Sequence, residues 1–362
     1  MTVGCRDSDV VPKVANAGEI LVENGRQVQV MHNGVRVLAG GYYGDWMAEI
    51  ITRLRGHHEP QEELVFHEVL KHVPTEAVMI DLGGFWSYYS LWFLSQAPIA
   101  RRSIVVEPDP YNLSVGRANA EINGHEIQFI QACAGSQSTE ARPFMTETAG
   151  EIYIPAVSVP DLLAFYGIDK LDILHCDTQG AETSVIRSCE DLLRRGLIRF
   201  IVVSTHAHQI SGDPLTHQRC LAMLKEFGGR ILAEHDVHES FSGDGLIAAY
   251  FGREPIDWPD LALSYNRYST SLFLNPLYDL DAAYKEIADL RQIASKTMSE
   301  HDILARRLAA ALEEVARVAG ERDAAHAERD LPEAEARAVR SSSSWRISAP
   351  LRALGRLVKF RT

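Results

Sequence analysis

The chain is 362 residues long, 46% hydrophobic and 23% charged, with 49 acidic against 36 basic residues and a net charge of −13. This is the composition of a soluble globular protein, and the length suffices for one large core or two modest ones. The acidic balance argues against a protein that tracks nucleic-acid phosphates, which needs a basic surface, so no nucleic-acid partner is expected.

Residues 1–60 hold short β-type runs, Val28–Met31 and Val35–Leu38, around the turn-like His32-Asn33-Gly34, which predicts an N-terminal β-hairpin extension. A helical stretch from Gln61 to His72 opens the next region, 61–255. There, apolar runs at Val78–Leu82, Ser103–Glu107, Ile127–Gln131, Asp172–Cys176, Phe200–Ser204, Arg230–Ala233 and Leu246–Phe251 alternate with amphipathic segments. The first five are short, apolar and far enough apart for helical crossovers, as parallel strands covered on both faces are. The last two lie too close for a crossover and read as an antiparallel pair. The expected fold is therefore α/β: a Rossmann-like, doubly wound, mostly parallel seven-stranded sheet with an antiparallel last strand. Ligands of such sheets bind beyond the carboxyl ends of the strands.

Residues 256–280 read as a linker. In 281–331, Ile287, Ala294, His301, Leu308 and Val315 repeat every seven residues, and Leu290, Thr297, Leu304, Ala311 and Val318 follow each by three. Two readings remain open: a marginal coiled coil that makes a homo-oligomer, or a single solvated helix. Pro332 is expected to end it. Residues 332–362 form a linker and a basic amphipathic tail, with Arg346, Arg352, Arg356, Lys359 and Arg361 among Trp345, Ile347, Leu351, Leu354, Leu357, Val358 and Phe360. Such a tail suits an anionic membrane surface or a partner protein; the plain alternative is a disordered end. Five cysteines without a Cys-x-x-Cys pair read as free thiols of a reducing compartment. With no signal-peptide layout at the start, the expected location is cytoplasmic, with the tail allowing contact with the inner membrane.

Chemistry concentrates at strand ends. The first strand runs into Asp81-Leu-Gly-Gly-Phe-Trp-Ser-Tyr-Tyr-Ser90, where glycines permit a tight turn and close approach to a cofactor, and Asp81 can accept from an amino group. The second ends at Glu107-Pro108, a carboxylate placed to accept from ribose hydroxyls. The full Gly-x-Gly-x-x-Gly that supports a pyrophosphate is absent, which favours S-adenosyl-L-methionine over a dinucleotide. The candidate cofactor residues are Asp81, Gly83, Gly84, Phe85, Ser87, Ser90, Glu107 and Pro108. The fourth strand ends at Asp177, with Glu182 beyond it, and the fifth at His206 and His208. These four are the candidate catalytic residues, since methyl transfer to a hydroxyl needs its proton removed. Asp177 and Glu182 could instead cap a helix. His206 and His208 share a strand face, but two residues do not make a metal site, and none is expected.

From about His58 to Phe251 the chain resembles the FkbM family of methyltransferases. The resemblance is carried by Glu59-Pro60, Asp81–Ser90, Val105–Leu113 (VVEPDPYNL), Val157–Glu182 and the strand reaching His206. It implies S-adenosylmethionine held by the Asp81–Ser90 loop and Glu107, with O-methylation as the reaction. Gly84, Phe85 and Ser87 replace the Ala, Asn and second Gly of the family's D-x-G-A-N-x-G loop. Ser204 stands at a usually acidic position, and Gln179 where Glu is common. These departures mark a divergent branch and support a second reading, a catalytically degenerate assembly module. Ser344–Leu357 resembles a tail of bacterial glycosyltransferases and polysaccharide-assembly proteins. That implies a sugar or glycosylated acceptor in surface polysaccharide biosynthesis, with glycosyltransferases as partners.

Overall fold

The computed structural model describes residues 2–97, 100–266 and 276–352, with side chains at 276–283 and 329–330 left out. It divides into two units, Met1–Asp281 and Ala282–Thr362. Near the N-terminus three antiparallel strands form a small sheet: β1 (Ile20–Glu23), β2 (Arg26–Val30) and β3 (Arg36–Leu38). The β2–β3 hairpin turns at the expected residues. The Gly34 N–H donates to the Met31 carbonyl (2.9 Å), the Asn33 side chain accepts from the Val35 N–H (3.0 Å), and Gly34 has a φ of 85°. The first strand was not expected, because none of its residues is buried.

Helices α1 (Asp45–Arg53) and α2 (Pro60–Lys71) follow. Pro60 occupies the first turn of α2, where its missing N–H costs nothing. That helix buries Glu62 and Glu63 beside Leu64, Val65 and Phe66. Buried carboxylates need partners, and theirs come from the sheet and the chain before the helix.

The large sheet begins with β4 (Val78–Leu82), α3 (Tyr88–Ser95), β5 (Arg102–Val106), α4 (Pro110–Asn123) and β6 (Gln128–Ile130). Asp109 caps α4 by accepting from the Tyr111 and Asn112 N–H groups, and Gly124 closes it in the left-handed conformation. An insertion then forms a second three-stranded sheet, ordered β7-β9-β8, from β7 (Cys133–Ala134), β8 (Thr139–Thr146) and β9 (Gly150–Val157). The sequence predicts no strands here, since most of β8 is solvent-exposed and presents no apolar alternation.

The chain re-enters the main sheet through α5 (Val159–Tyr166), β10 (Leu171–Cys176), α6 (Glu182–Ser188), α7 (Glu190–Arg194) and β11 (Ile198–Thr205). It completes it with α8 (His208–Ser211), α9 (Thr216–Glu226), β12 (Arg230–His235) and β13 (Gly245–Tyr250). The seven strands lie in the order β12-β13-β11-β10-β4-β5-β6, and β13 alone runs antiparallel to its neighbours. The doubly wound α/β sheet is thus the expected one, reversed last strand included. Alternation along each strand feeds two cores: Met79, Ile173, Phe200 and Val202 on one face, Ile80, Leu174, Ile201 and Val203 on the other. Strand order reverses between β4 and β10, which opens a crevice above their carboxyl ends.

The second unit consists of helix α10 (Pro276–Ser341), which begins just before it, and α11 (Ser343–Ile347). Contrary to expectation, α10 continues through Pro332. Glu328, whose carbonyl loses its donor there, is solvent-exposed, so water can take that donor's place. The heptad residues Leu290, Leu304, Leu308, Val315 and Val318 are all exposed. Of the tail, Leu354, Arg356, Leu357, Val358, Lys359, Phe360 and Arg361 lie outside the described residues. Among the described residues no helix is long and apolar enough to cross a membrane, and all five cysteines are free and buried.

Candidate active site

A cavity of about 280 Å³ occupies the crevice. Its floor is the β4–α3 turn. Gly83 (φ 77°) is required there because a Cβ would sit 1.6 Å from the Asp177 carbonyl oxygen, and one on Gly84 would press on Val105 and Asp81. The glycine pair therefore lets two strand ends meet each other, and the cavity lies over that junction.

At one end stands Glu107. Its carboxylate accepts from the Phe85 N–H (3.1 Å) and the Asp109 N–H (2.8 Å), which fix it across the turn from Asp81. Burial pushes it up to about 7 against those two hydrogen bonds. With the Asn112 side chain as a third partner, the carboxylate still keeps acceptor capacity for a further donor. Pro108, Asn112, Cys133, Ala134 and Phe144 line the same end. Thr148 donates from its backbone and hydroxyl to Asp109 (2.7 and 2.6 Å), pinning the β8–β9 hairpin against the N-terminus of α4.

Asp81 is less available than its position implied. One oxygen accepts from the Ser90 hydroxyl (2.7 Å) and the other from His175 Nδ1 (2.9 Å), while His175 Nε2 donates to Glu62 (2.9 Å). Burial opposes a charge on His175, but Asp81 and Glu62 outweigh it and hold the ring protonated, well above its ordinary range. Ser204, at the usually acidic position, donates to Glu62 (2.7 Å), so α2 supplies the carboxylate that β11 lacks.

At the other end His206 sits between carboxylates. Its Nε2 is 3.1 Å from Asp177 and 3.7 Å from Asp244, and its Nδ1 is 3.0 Å from Glu182. Burial alone would lower His206; hydrogen bonds to Asp177 and Glu182 instead raise it to about 11. It is a fixed cation at neutral pH and no base. Asp244 is pushed up to about 7, by burial first and then by Asp177, Glu59 and Glu62, against the pull of His206.

The structure thus brings together Asp81, Gly83, Gly84, Phe85, Glu107, Pro108, Asp177 and His206 around one cavity. Ser87, Ser90 and Glu182 are completely buried and lie behind its wall. Glu182 accepts from the Gly180 N–H and steadies His206. His208 begins α8 rather than sharing a strand face with His206, and lies outside the cavity lining. The sequence reading missed Asp244, Glu59 and the aromatic pair Tyr42 and Tyr43. A usable signal existed for Asp244: it precedes a reversed strand, whose start must lie at the edge where parallel strands end. Tyr42 stacks on Trp86 (4.5 Å, 9°) and meets Phe85 edge-on (4.9 Å). These rings wall the cavity without closing it over Glu107.

Residues 73–231 match the family model described as the methyltransferase FkbM domain. The chain carries an FkbM methyltransferase domain. It is an S-adenosylmethionine-dependent methyltransferase, and the carboxylate at the end of β5 beside a glycine turn fits that cofactor's ribose. Solved structures similar to the chain include the FkbM methyltransferase of Methylobacillus flagellatus KT, at 16% identity and a TM-score of 0.36, covering 57% of this chain and 55% of that one. TrmK of M. capricolum, solved with S-adenosyl-homocysteine, shows 13% identity and a TM-score of 0.34 over 63% and 85% of the two chains. The methyltransferase domain of METTL16 shows 18% identity and a TM-score of 0.38 over 62% and 86%. Likenesses this low carry no argument about substrate. No curated protein matches the chain.

Proposed function

We propose that this FkbM domain methylates a hydroxyl oxygen of a sugar or glycosylated acceptor, in surface polysaccharide biosynthesis. The observation that carries the reading is the Asp177–His206–Asp244 group at the end of the cavity away from Glu107. Bound S-adenosylmethionine supplies an electrophilic methyl on a sulfonium. Glu107 would hold the ribose hydroxyls, and residues of the Asp81–Phe85 turn would line the remainder of the cofactor's site. An acceptor hydroxyl donates to Asp177, whose side chain is 29% exposed. The hydroxyl that is methylated is a second one of the same acceptor, and its proton leaves directly to Asp244, since a carboxyl near 7 is matched to the job at neutral pH. His206, protonated and held by Glu182, positions both carboxylates. Because the sulfonium charge disappears on transfer, alignment contributes more than a strong field. Tyr42, Tyr43 and Phe85 offer apolar faces beside these acids, the mixture a polyhydroxyl ring with C–H faces requires.

The test is product formation with purified acceptor glycans, read by mass spectrometry. Asp177→Asn should abolish turnover while leaving cofactor affinity unchanged; unaltered turnover removes the role given to Asp177. For the second unit the reading is recruitment. Copies pair through the exposed heptads of α10, and the basic tail contacts anionic membranes or glycosyltransferases. A chain that is monomeric by light scattering and indifferent to anionic liposomes contradicts it.

A further inference from the structure

Tyr42 and Tyr43 follow the small N-terminal sheet, and Trp46 lies in the first turn of α1. Tyr43 lines the methyl-transfer cavity and is still 40% exposed, so it stands where the cavity meets solvent. Trp46 lies outside the lining and is 59% exposed. Their ring centroids are 6.2 Å apart with planes 32° from parallel, and Tyr43 meets Phe85 edge-on at 5.2 Å. An aromatic surface therefore runs from Phe85 in the cavity wall, through Tyr43, to Trp46 outside. A large apolar ring left in water gains little from folding, and this one continues a ligand site.

Strained backbone holds that surface in place. Tyr43 has a φ of 48°, a left-handed conformation that a bulky residue adopts only where its surroundings impose it. Gln179 lines the cavity opposite with a φ of 53°, and its Nε2 donates to the Tyr43 hydroxyl (3.4 Å). Where Glu is common in the family, this amide steadies the Tyr43 ring without adding a charge. Its carbonyl oxygen and second N–H remain for sugar hydroxyls.

The surroundings are acidic. Burial pushes the Tyr43 hydroxyl up, and Glu147, Asp177 and Asp244 push it further, so three carboxylates face that ring. Among the described residues lining the cavity there is no lysine or arginine. Its cations, His58, His175 and His206, are each already held between two carboxylates. A diphosphate would meet repulsion here and no fork of donors. An uncharged sugar would not, and its C–H face is attracted to the negative face of an aromatic ring.

We propose that Tyr43 and Trp46 form a second sugar subsite at the rim of the cavity, so that the acceptor is the end of an oligosaccharide and not a nucleotide-activated monosaccharide. The inference rests on the reading that this cavity methylates a sugar hydroxyl. The methylated residue sits against Tyr42 and Phe85, and the next sugar lies across Tyr43 toward Trp46. The reaction that supplies the substrate is then glycosyl transfer, with the nucleotide already released.

The experiment incubates the full chain with S-adenosylmethionine bearing a trideuterated methyl and an extract of cells lacking the gene, in which unmethylated acceptor accumulates. Mass spectrometry assigns the labelled species. Label on a chain of two or more sugars supports the inference. Label on a nucleoside-diphosphate sugar or a free monosaccharide overturns it and leaves sugar methylation standing, whereas label on no sugar overturns both. Trp46→Ala should raise KM for the labelled oligosaccharide about tenfold with kcat retained, and Trp46→Phe should recover most of that loss. An unchanged KM in Trp46→Ala overturns the subsite. Titration with S-adenosylmethionine reports whether each variant is folded; if Trp46→Ala is not, Trp46→Phe and the label distribution of the unmodified chain decide.

Discussion

Replacing Glu107 by glutamine tests the cofactor end of the cavity, and the structure supplies the size of the effect. In the free protein burial holds this carboxyl at about 7 although two N–H groups favour its ionised form. Ribose hydroxyls donate to the ionised form, so affinity should follow the ionised fraction. At pH 6 roughly one carboxyl in eleven is ionised, and S-adenosylmethionine should bind about tenfold more weakly than at pH 8. Stability carries the same signature with the opposite sign. The folded pKa lies above the ordinary 4.5, so the contribution of this group is complete below about 4.5 and is lost as pH rises through 7. Glutamine keeps the volume but offers one acceptor oxygen to two N–H groups. One of them then faces an amide NH₂, at a cost of about 1–3 kcal/mol. Glu107→Gln should therefore bind the cofactor at least about tenfold more weakly at pH 8, with no dependence left between pH 6 and 8. Calorimetric titration at three pH values measures both. A flat profile for the unmodified protein, or a slope that survives in Glu107→Gln, refutes the assignment of Glu107 to the ribose.

Asp244→Asn should lower turnover by about a hundredfold and abolish the rise in rate through pH 7 that the intact carboxyl produces, with cofactor affinity unchanged. A pH–rate profile at saturating S-adenosylmethionine, where the Glu107 titration no longer limits binding, reads this, and an unchanged acid limb would remove Asp244 as proton acceptor. Ser87 holds a left-handed backbone (φ 64°) with a buried hydroxyl that has no hydrogen-bond partner. Ser87→Gly relieves both and should stabilise the protein by about 1 kcal/mol, seen as a higher melting temperature in calorimetry.

Several departures from the family pattern acquire a physical meaning from their neighbours. Ser204 gives up an acid on β11, and Glu62 brings one from α2 to the same place. Phe85 gives up an amide in the turn and becomes part of an aromatic wall with Tyr42 and Tyr43. Nothing local to position 85 foretells a tyrosine pair more than forty residues earlier. Ser87 is the departure left uncompensated, since its strain and its orphan hydroxyl both remain.

The short, continuous apolar runs and the spacing between them were enough to specify the seven strands of the large sheet, their directions and the edge where ligands of such sheets bind. Those are local properties of a chain whose parallel strands must be buried on both faces. The same logic reached Asp81, Glu107, Asp177 and His206, because each lies at the end of an apolar run. What each carboxylate does was decided only by the fold. Asp81 is occupied by His175 and Ser90, His206 is locked as a cation, Asp244 arrives from a reversed strand, and α2 buries acids that its sequence presents as surface residues. Protonation and availability depend on burial and on partners as remote as Ser204 and Glu62, 142 residues apart along the chain, a distance over which sequence carries no periodic signal.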